Sequence, residues 1–350
     1  MGCCCSRSKS SSSPSPTSPP KEMEDVRPTL QSLIAESDAL LEENRWVEAR
    51  GKLDQAVQLS EQQQGPDHED TLETKAILAY NLRKHGEYQE AEQIDREVHA
   101  TRLRVSGPDH TETAKALNNI ALDLKGLARF DEAFHLEEQA LDIFMKVEGE
   151  DSRATQTSMN NLANSYHQQG RFGDAARLHE KTLELRVKTL GRDHFETIMA
   201  MDLLGVDCRE LGQVEKAARY QEEALELATN SLGEASETTL RCSINLASTY
   251  QAFGTADGQQ KALTLLERAL DLSRRNLGEE SPETVGTMNN LAVAYVKADR
   301  LDDAYPLLKA AYDINRKTLG PDHPKTRASE GNYNYVMEKL GLTQANIFGA

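Results

Sequence analysis

The chain has 350 residues, a formal net charge of −17 and only 5% aromatic residues, with Trp46 its one tryptophan. So acidic a surface argues against nucleic acid, whose phosphates it would repel. No stretch approaches the roughly 18 apolar residues of a membrane span, and the N-terminus lacks the apolar core of a secretory signal. The five cysteines, Cys3, Cys4, Cys5, Cys208 and Cys242, form no disulfide framework, which suits a reducing cytosol.

The first predicted element is a tail over residues 1–27. It opens Met1-Gly2-Cys3-Cys4-Cys5-Ser6. Removal of Met1 leaves Gly2 with Ser6 in the N-myristoylation pattern. One myristoyl chain binds a bilayer only marginally, with K on the order of 10⁴ M⁻¹, so Cys3, Cys4 and Cys5 are read as palmitoylation sites that convert brief contact into residence. Arg7, Lys9 and Lys21 add weak attraction to anionic lipid. The alternative is a disordered tail whose cysteines are accidental, bind metal or become oxidised, although a cysteine triplet with no histidine nearby cannot by itself enclose a tetrahedral ion. Residues 10–20, rich in serine and proline, carry nothing apolar to offset the entropy of ordering and read as a disordered spacer. Ser13, Ser15 and Ser18 precede prolines and are candidate phosphorylation sites, where added negative charge would oppose Arg7 and Lys9. The expected location is the cytoplasmic face of a membrane, partly cytosolic if palmitoylation is reversible.

From residue 28 to 350 the sequence repeats. Gly65, Gly107, Gly149, Gly191, Gly233, Gly278 and Gly320 are 42 residues apart, with one interval of 45, and a threonine follows each by six. Thr29 extends the grid back one period. Repeats are read as starting near 28, 65, 107, 149, 191, 233 and 278, with a terminal helix from about 324. Counted from each threonine, the eighth residue is small (Ser37, Ala79, Ala121, Ala163, Gly205, Ala247, Ala292) and the twentieth is alanine (Ala49, Ala91, Ala133, Ala175, Ala217, Ala304, with Ala262 after an insertion). Two small residues on consecutive helices let those helices interlock closely. The fifteenth position favours residues that tolerate left-handed backbone (Asn44, Gly86, Gly170, Gly212, Gly254, Asp299), as a helix C-cap requires, and Ala128 departs from this. Pro282 and Pro324 sit where a first helical residue belongs. The preceding place is then the N-cap, held only by histidine or serine: His68, His110, Ser152, His194, Ser236, Ser281 and His323. These histidines are thereby discounted as ligands or catalysts. Each unit is a helix, a tight turn, a longer helix and a linker, none able to bury its apolar face alone. The three extra residues within Thr255–Gln260 predict a longer turn in the fifth repeat, open to a second partner.

The N-N-L-A-x-x-Y…G-R-F…A pattern and the L-G-x-D-H linker resemble tetratricopeptide repeats. The 42-residue period is similar to that of the kinesin-light-chain and nephrocystin-3 branch. The resemblance spans residues 28–341. It implies an all-α, right-handed superhelical solenoid of stacked antiparallel helix pairs, with the first helices lining a concave groove.

On the first helix, the fifth, sixth, ninth, twelfth and thirteenth positions share the face away from the seam. The sixth holds Asn119, Asn161, Asn245, Asn290 and Asn332. Asparagine is a mediocre helix former, and its amide can donate to and accept from a peptide backbone at once. The row therefore either grips an extended peptide or bridges neighbouring repeats, and in related grooves asparagine at this place is similar to residues that hold peptide backbone. Around it stand Arg83, Lys84, Lys115, Lys125, His167, Arg209, Arg241 and Lys297, against Glu73, Asp202 and Glu210. This predicts either an acidic peptide partner or an ordinary charged face. Leu203, Val206 and Cys208 read as an apolar pocket or a looser core.

No motif carries chemistry. There is no glycine-rich phosphate loop, no H-E-x-x-H and no G-x-S-x-G. Cys208 and Cys242 fall at core or near-core places. The expectation is no enzyme, no cofactor, no metal, no nucleic acid and no small-molecule substrate. It is instead a membrane-anchored adaptor for a protein or peptide. The alternatives are a self-associating scaffold or a regulatory subunit of a groove-bound enzyme.

Overall fold

The computed structural model describes residues 26–342 apart from Asn44. Gly2, Cys3, Cys4, Cys5, Ser13, Ser15, Ser18 and the proposed cap Asn44 lie outside the described residues. Those that are described form fifteen α-helices and no strand. The first six are α1 (Val26–Glu42), α2 (Trp46–Gln64), α3 (Glu69–Lys84), α4 (Tyr88–Ser106), α5 (Thr111–Gly126) and α6 (Phe130–Val147). There follow α7 (Arg153–Gln168), α8 (Phe172–Leu190), α9 (Phe195–Glu210), α10 (Val214–Leu232) and α11 (Glu237–Ala252). The last are α12 (Ala256–Leu277), α13 (Pro282–Lys297), α14 (Leu301–Leu319) and α15 (Pro324–Lys339). Packing divides the chain into two compact units, residues 1–140 and 141–350, where the sequence alone suggested one array from 28 to 350. In a repeat array each pair contacts only its neighbours, so no single core is required. Odd-numbered helices are first helices, even-numbered ones second helices.

Each first helix begins as the sequence predicts. The Nδ1 atoms of His68, His110, His194 and His323 accept from the amide two residues on, all at 3.2 Å. The hydroxyls of Ser152, Ser236 and Ser281 accept from amides two or three residues on. The linker glycines have a reason beyond spacing. Gly65, Gly107, Gly191, Gly233, Gly278 and Gly320 hold φ of 85° to 94° with ψ of 158° to 173°, a region open essentially to glycine alone. The recurring threonine completes the linker. Thr71, Thr113, Thr197 and Thr239 donate Oγ1–H to the glycine carbonyl six residues back at 2.7–2.9 Å, pinning the new helix to the end of the old one.

The seam is where the small residues placed it. All seven alanines of the twentieth position are fully buried. At Gly205 an added Cβ would stand 2.5 Å from Gln221 Cγ and 3.2 Å from the Ala217 carbonyl, so that crossing admits no side chain. Two expectations are corrected. Ala128 departs from the cap pattern in residue type only: it adopts φ 59°, beside Asp299 at 58°. The insertion in the fifth repeat does not lengthen a turn. Thr255 caps the helix through the Gly258 amide, and the extra residues make α12 22 residues long. Extending a helix satisfies three more backbone groups that a longer loop would leave to solvent. Helix α15 has no second helix after it among the described residues.

Candidate interaction face

The first-helix positions predicted to face a partner fall into two groups. One group is consumed by packing between repeats. In the first unit Arg83 lies between two buried carboxylates, 2.7 Å from Asp95 and 2.6 Å from Asp123. Burial and mutual proximity raise the Asp95 carboxyl above its usual range, and burial raises Asp123 too, although Arg83 opposes both. Lys125 lies 2.5 Å from the buried Glu137. Neither cation is offered to a partner. The same positions in the second unit hold His167, whose Nδ1 lies 2.7 Å from one oxygen of Asp207; buried His179 meets the other at 2.6 Å. Burial opposes the charge on Asp207, but the two imidazole contacts outweigh it and hold its pKa below the usual value. Next along, Thr249 donates to Gln221 at 2.6 Å.

Most of the rest of the basic row is also met by acids or amides. Lys115 pairs with Glu112 at 2.7 Å, Arg209 with Glu210 at 2.8 Å, and Arg241 approaches Asp202 at 3.7 Å. Lys297 donates to Gln251, and Lys84 sits over the Tyr80 ring. Of the two readings the sequence left open, these pairings favour an ordinary charged face. The physical reason is reach: a side chain at the twelfth position crosses the gap to the second helix behind it or to the next first helix. Acids there were not visible from one helical face.

The asparagine row divides likewise. Asn119 lies beside Asp95 and opposes the rise of that carboxyl's pKa, and its main-chain carbonyl accepts from Arg83 at 3.2 Å. Asn245 donates to Asp202 at 2.7 Å, bridging adjacent repeats. Asp202 is fully buried and its pKa rises to about 6, because burial outweighs Arg241 and Asn245. These two asparagines are structural. Asn161 is half-buried on α7, while Asn290 and Asn332 are exposed on α13 and α15, and none of the three has a side-chain partner among the described residues.

Asn290 and Asn332 converge on a cavity of about 370 Å³ between α13 and α15, lined by Val285 and Leu319 and edged by Gly286, Asn315 and Lys325. One lining position, on the second helix, differs from two earlier repeats. There Arg102 spans Glu69 and Glu112, and Arg186 donates to the Glu196 carbonyl at 2.9 Å, each filling the gap between successive first helices. In α14 that place holds the shorter Asn315, which donates to Ser329 at 2.9 Å and leaves the gap open. A second cavity lies between α1 and α3, where Leu30, Ile34 and Ile77 meet Asp70 and Glu73. Neither cavity was foreseen from the sequence. Of the Leu203–Val206–Cys208 patch only Cys208 lies in a core cluster, while Leu203 and Val206 are half-buried. Burial raises the thiol pKa values of both Cys208 and Cys242, which makes them poor nucleophiles.

No helix among the described residues is long and apolar enough to cross a membrane, and no cluster of three His, Cys, Asp or Glu forms a metal site there. Residues 29–102, 75–146, 154–230, 204–257 and 255–304 match a family model of the tetratricopeptide repeat, and 284–325 match a second model of the same repeat. No curated protein matches the chain. Among solved structures it resembles nearly identical TPR-like repeats of a kinesin-light-chain type from Podospora anserina. The identity is 24% over 61% of this chain and 97% of that one, with a TM-score of 0.50. It also resembles BtubC (BKLC) from P. vanneervenii, with 22% identity over 72% and 94% and a TM-score of 0.50. A third is the Rap conjugation gene regulator of plasmid pLS20, solved in complex with the Phr* peptide, with 16% identity over 89% and 80% and a TM-score of 0.59.

Proposed function

Because the chain belongs to the tetratricopeptide-repeat family, we propose that it is an interaction adaptor. In this reading acyl chains on Gly2 and on one or more of Cys3, Cys4 and Cys5 hold it to a membrane, while its first-helix face binds an extended segment of another protein. The observation that carries the binding half is the division of the asparagine row. Asn119 and Asn245 are spent on structure, whereas Asn290 and Asn332 keep free amides at an open cavity. A free side-chain amide beside an unfilled space is suited to paired hydrogen bonds with a peptide backbone. A peptide-bound protein of related fold, the Rap regulator, supports the same mode. The tail carries the other half, since one acyl chain binds weakly and two bind durably. Because the basic row is compensated, affinity does not depend on a generally acidic partner. We assign the chain no catalytic step.

The test is co-fractionation. Proteins captured by the full chain should follow it into the membrane fraction, and should move with it to the soluble fraction when Gly2→Ala removes the amide acylation site. A Gly2→Ala chain that stays fully membrane-bound would overturn the anchor. A chain from which no captured protein moves with it would overturn the adaptor.

A further inference from the structure

Helix-interior glycine costs helix stability, so each needs a reason. At Gly205 the reason is packing, as shown above, and at Gly126 an added Cβ would meet the Tyr88 ring at 2.1 Å. Gly286, inside α13, is different. No heavy atom lies within 4 Å of the Cβ it lacks. Gly51 on α2, Gly173 on α8 and Gly331 on α15 are equally open but line neither cavity, whereas Gly286 stands at the wall of the α13–α15 cavity. The structure itself makes no use of the space. Glycine there lets another molecule's backbone approach α13 closely.

Three further features surround that approach. The Asn290 and Asn332 amides are free on the two helices. Buried Val285 and part-exposed Leu319 add apolar lining beside them. At the mouth, the Lys325 ammonium has no acid partner among the described residues, while Glu280 nearby is already paired with Lys317 at 2.5 Å. Like Lys84 over Tyr80 and Lys297 against Gln251, it is a cation that no acid meets.

We infer that the α13–α15 cavity is a specificity pocket for an extended peptide in which an acidic residue adjoins an aliphatic one. The aliphatic side chain packs on that apolar lining, the acid meets Lys325, and the two asparagines hold the intervening backbone. The inference rests on the adaptor reading and narrows it to one place and one chemistry.

The probes are fluorescein-labelled Gly/Ser decapeptides with a central Glu-Leu pair, or Lys-Leu or Glu-Ser in its place, titrated against the full chain by anisotropy. The Glu-Leu peptide should bind at least fivefold tighter than either counterpart. Gly286→Leu should weaken it at least tenfold while melting no lower than wild type, since leucine is the better helix former. Lys325→Glu should reverse the preference between Glu-Leu and Lys-Leu. Equal affinities for the three peptides, no binding of any, or indifference to Gly286→Leu would overturn the pocket. A captured partner that still co-fractionates with the Gly286→Leu chain would then leave the adaptor standing. Correct peptide preferences with no co-fractionating partner would sink the adaptor alone.

Discussion

The helix pairs between α3 and α10 and those from α11 to α15 use the same three grid positions in different ways. In the former, two places on first helices and one on a second helix hold Arg83, Asp123 and Asp95 in one instance, and His167, Asp207 and His179 in another. In the latter, the second-helix place holds Leu266 or Leu308 and the next first helix supplies Ala294 or Val336, all inside one apolar cluster. The backbone grid is indifferent to this exchange because caps, linker glycines and the alanine seam already fix the geometry. What changes is the consequence of error. A hydrocarbon layer loses contacts when trimmed, whereas a charged layer left with one partner keeps a buried charge that nothing compensates. Charge-matched layers also discriminate between correct and slipped neighbours, a role attested for buried polar groups elsewhere.

The largest effect should come from breaking the charged layer. Arg83→Leu leaves Asp95 and Asp123 facing each other, at a cost of about 3–5 kcal/mol. The loss should shrink toward pH 5, because both carboxyls already favour protonation. Leu308→Ala in the apolar layer should cost a comparable 2–5 kcal/mol, about equally at pH 5 and pH 8. Denaturant melts at both pH values compare them, and matching pH dependence would dissolve the distinction.

Asp202 sharpens the point. Its folded pKa of about 6 stands above the ordinary 3.8, so its contribution to stability is full below the ordinary value and is lost as pH rises through about 6. Asp202→Asn mimics the protonated form, and its amide oxygen still accepts from Asn245. It should stabilise the chain by about 1–3 kcal/mol at pH 7.5 and by almost nothing at pH 4. Thermal melts across that range decide it; destabilisation at pH 7.5 would mean the carboxylate is held better than its burial suggests.

The smallest effect belongs to the backbone. Ala128 holds a left-handed conformation at φ 59° where sister repeats use glycine. Ala128→Gly should therefore gain up to about 1 kcal/mol by relieving a strain of 1–2 kcal/mol, less the added entropy of the unfolded chain. A lower melting temperature would count against that strain.

Legibility followed the range of each constraint. Caps at His68 or Ser152, the glycine linkers and the Ala175 seam were readable because they are conditions on a few adjacent residues or on one crossing. The roles of Arg83, Lys125 and Asn119 were not, because their partners lie 12 to 40 residues away on other helices. A helical wheel shows which way such a residue starts out but not where a long side chain ends. The insertion at Thr255 misled for a related reason: three residues can enter a loop or a helix, and only the capping hydroxyl decides. The cavity beside Gly286 was hidden because its lining comes from three helices, α13, α14 and α15, that no single helical face displays.

The division of the asparagine row tests the account most directly. A captured partner is titrated against wild type, the Asn290→Ala/Asn332→Ala double variant and Asn119→Ala, with melting curves alongside. Two lost backbone contacts at about 0.5–1.5 kcal/mol each predict that the double variant binds roughly 5- to 150-fold more weakly and melts like wild type. Asn119→Ala should melt lower, since Asp95 loses a partner, and bind normally while folded. Unchanged affinity in the double variant, or weakened affinity in a stably folded Asn119→Ala chain, would contradict the assignment of these asparagines to separate roles.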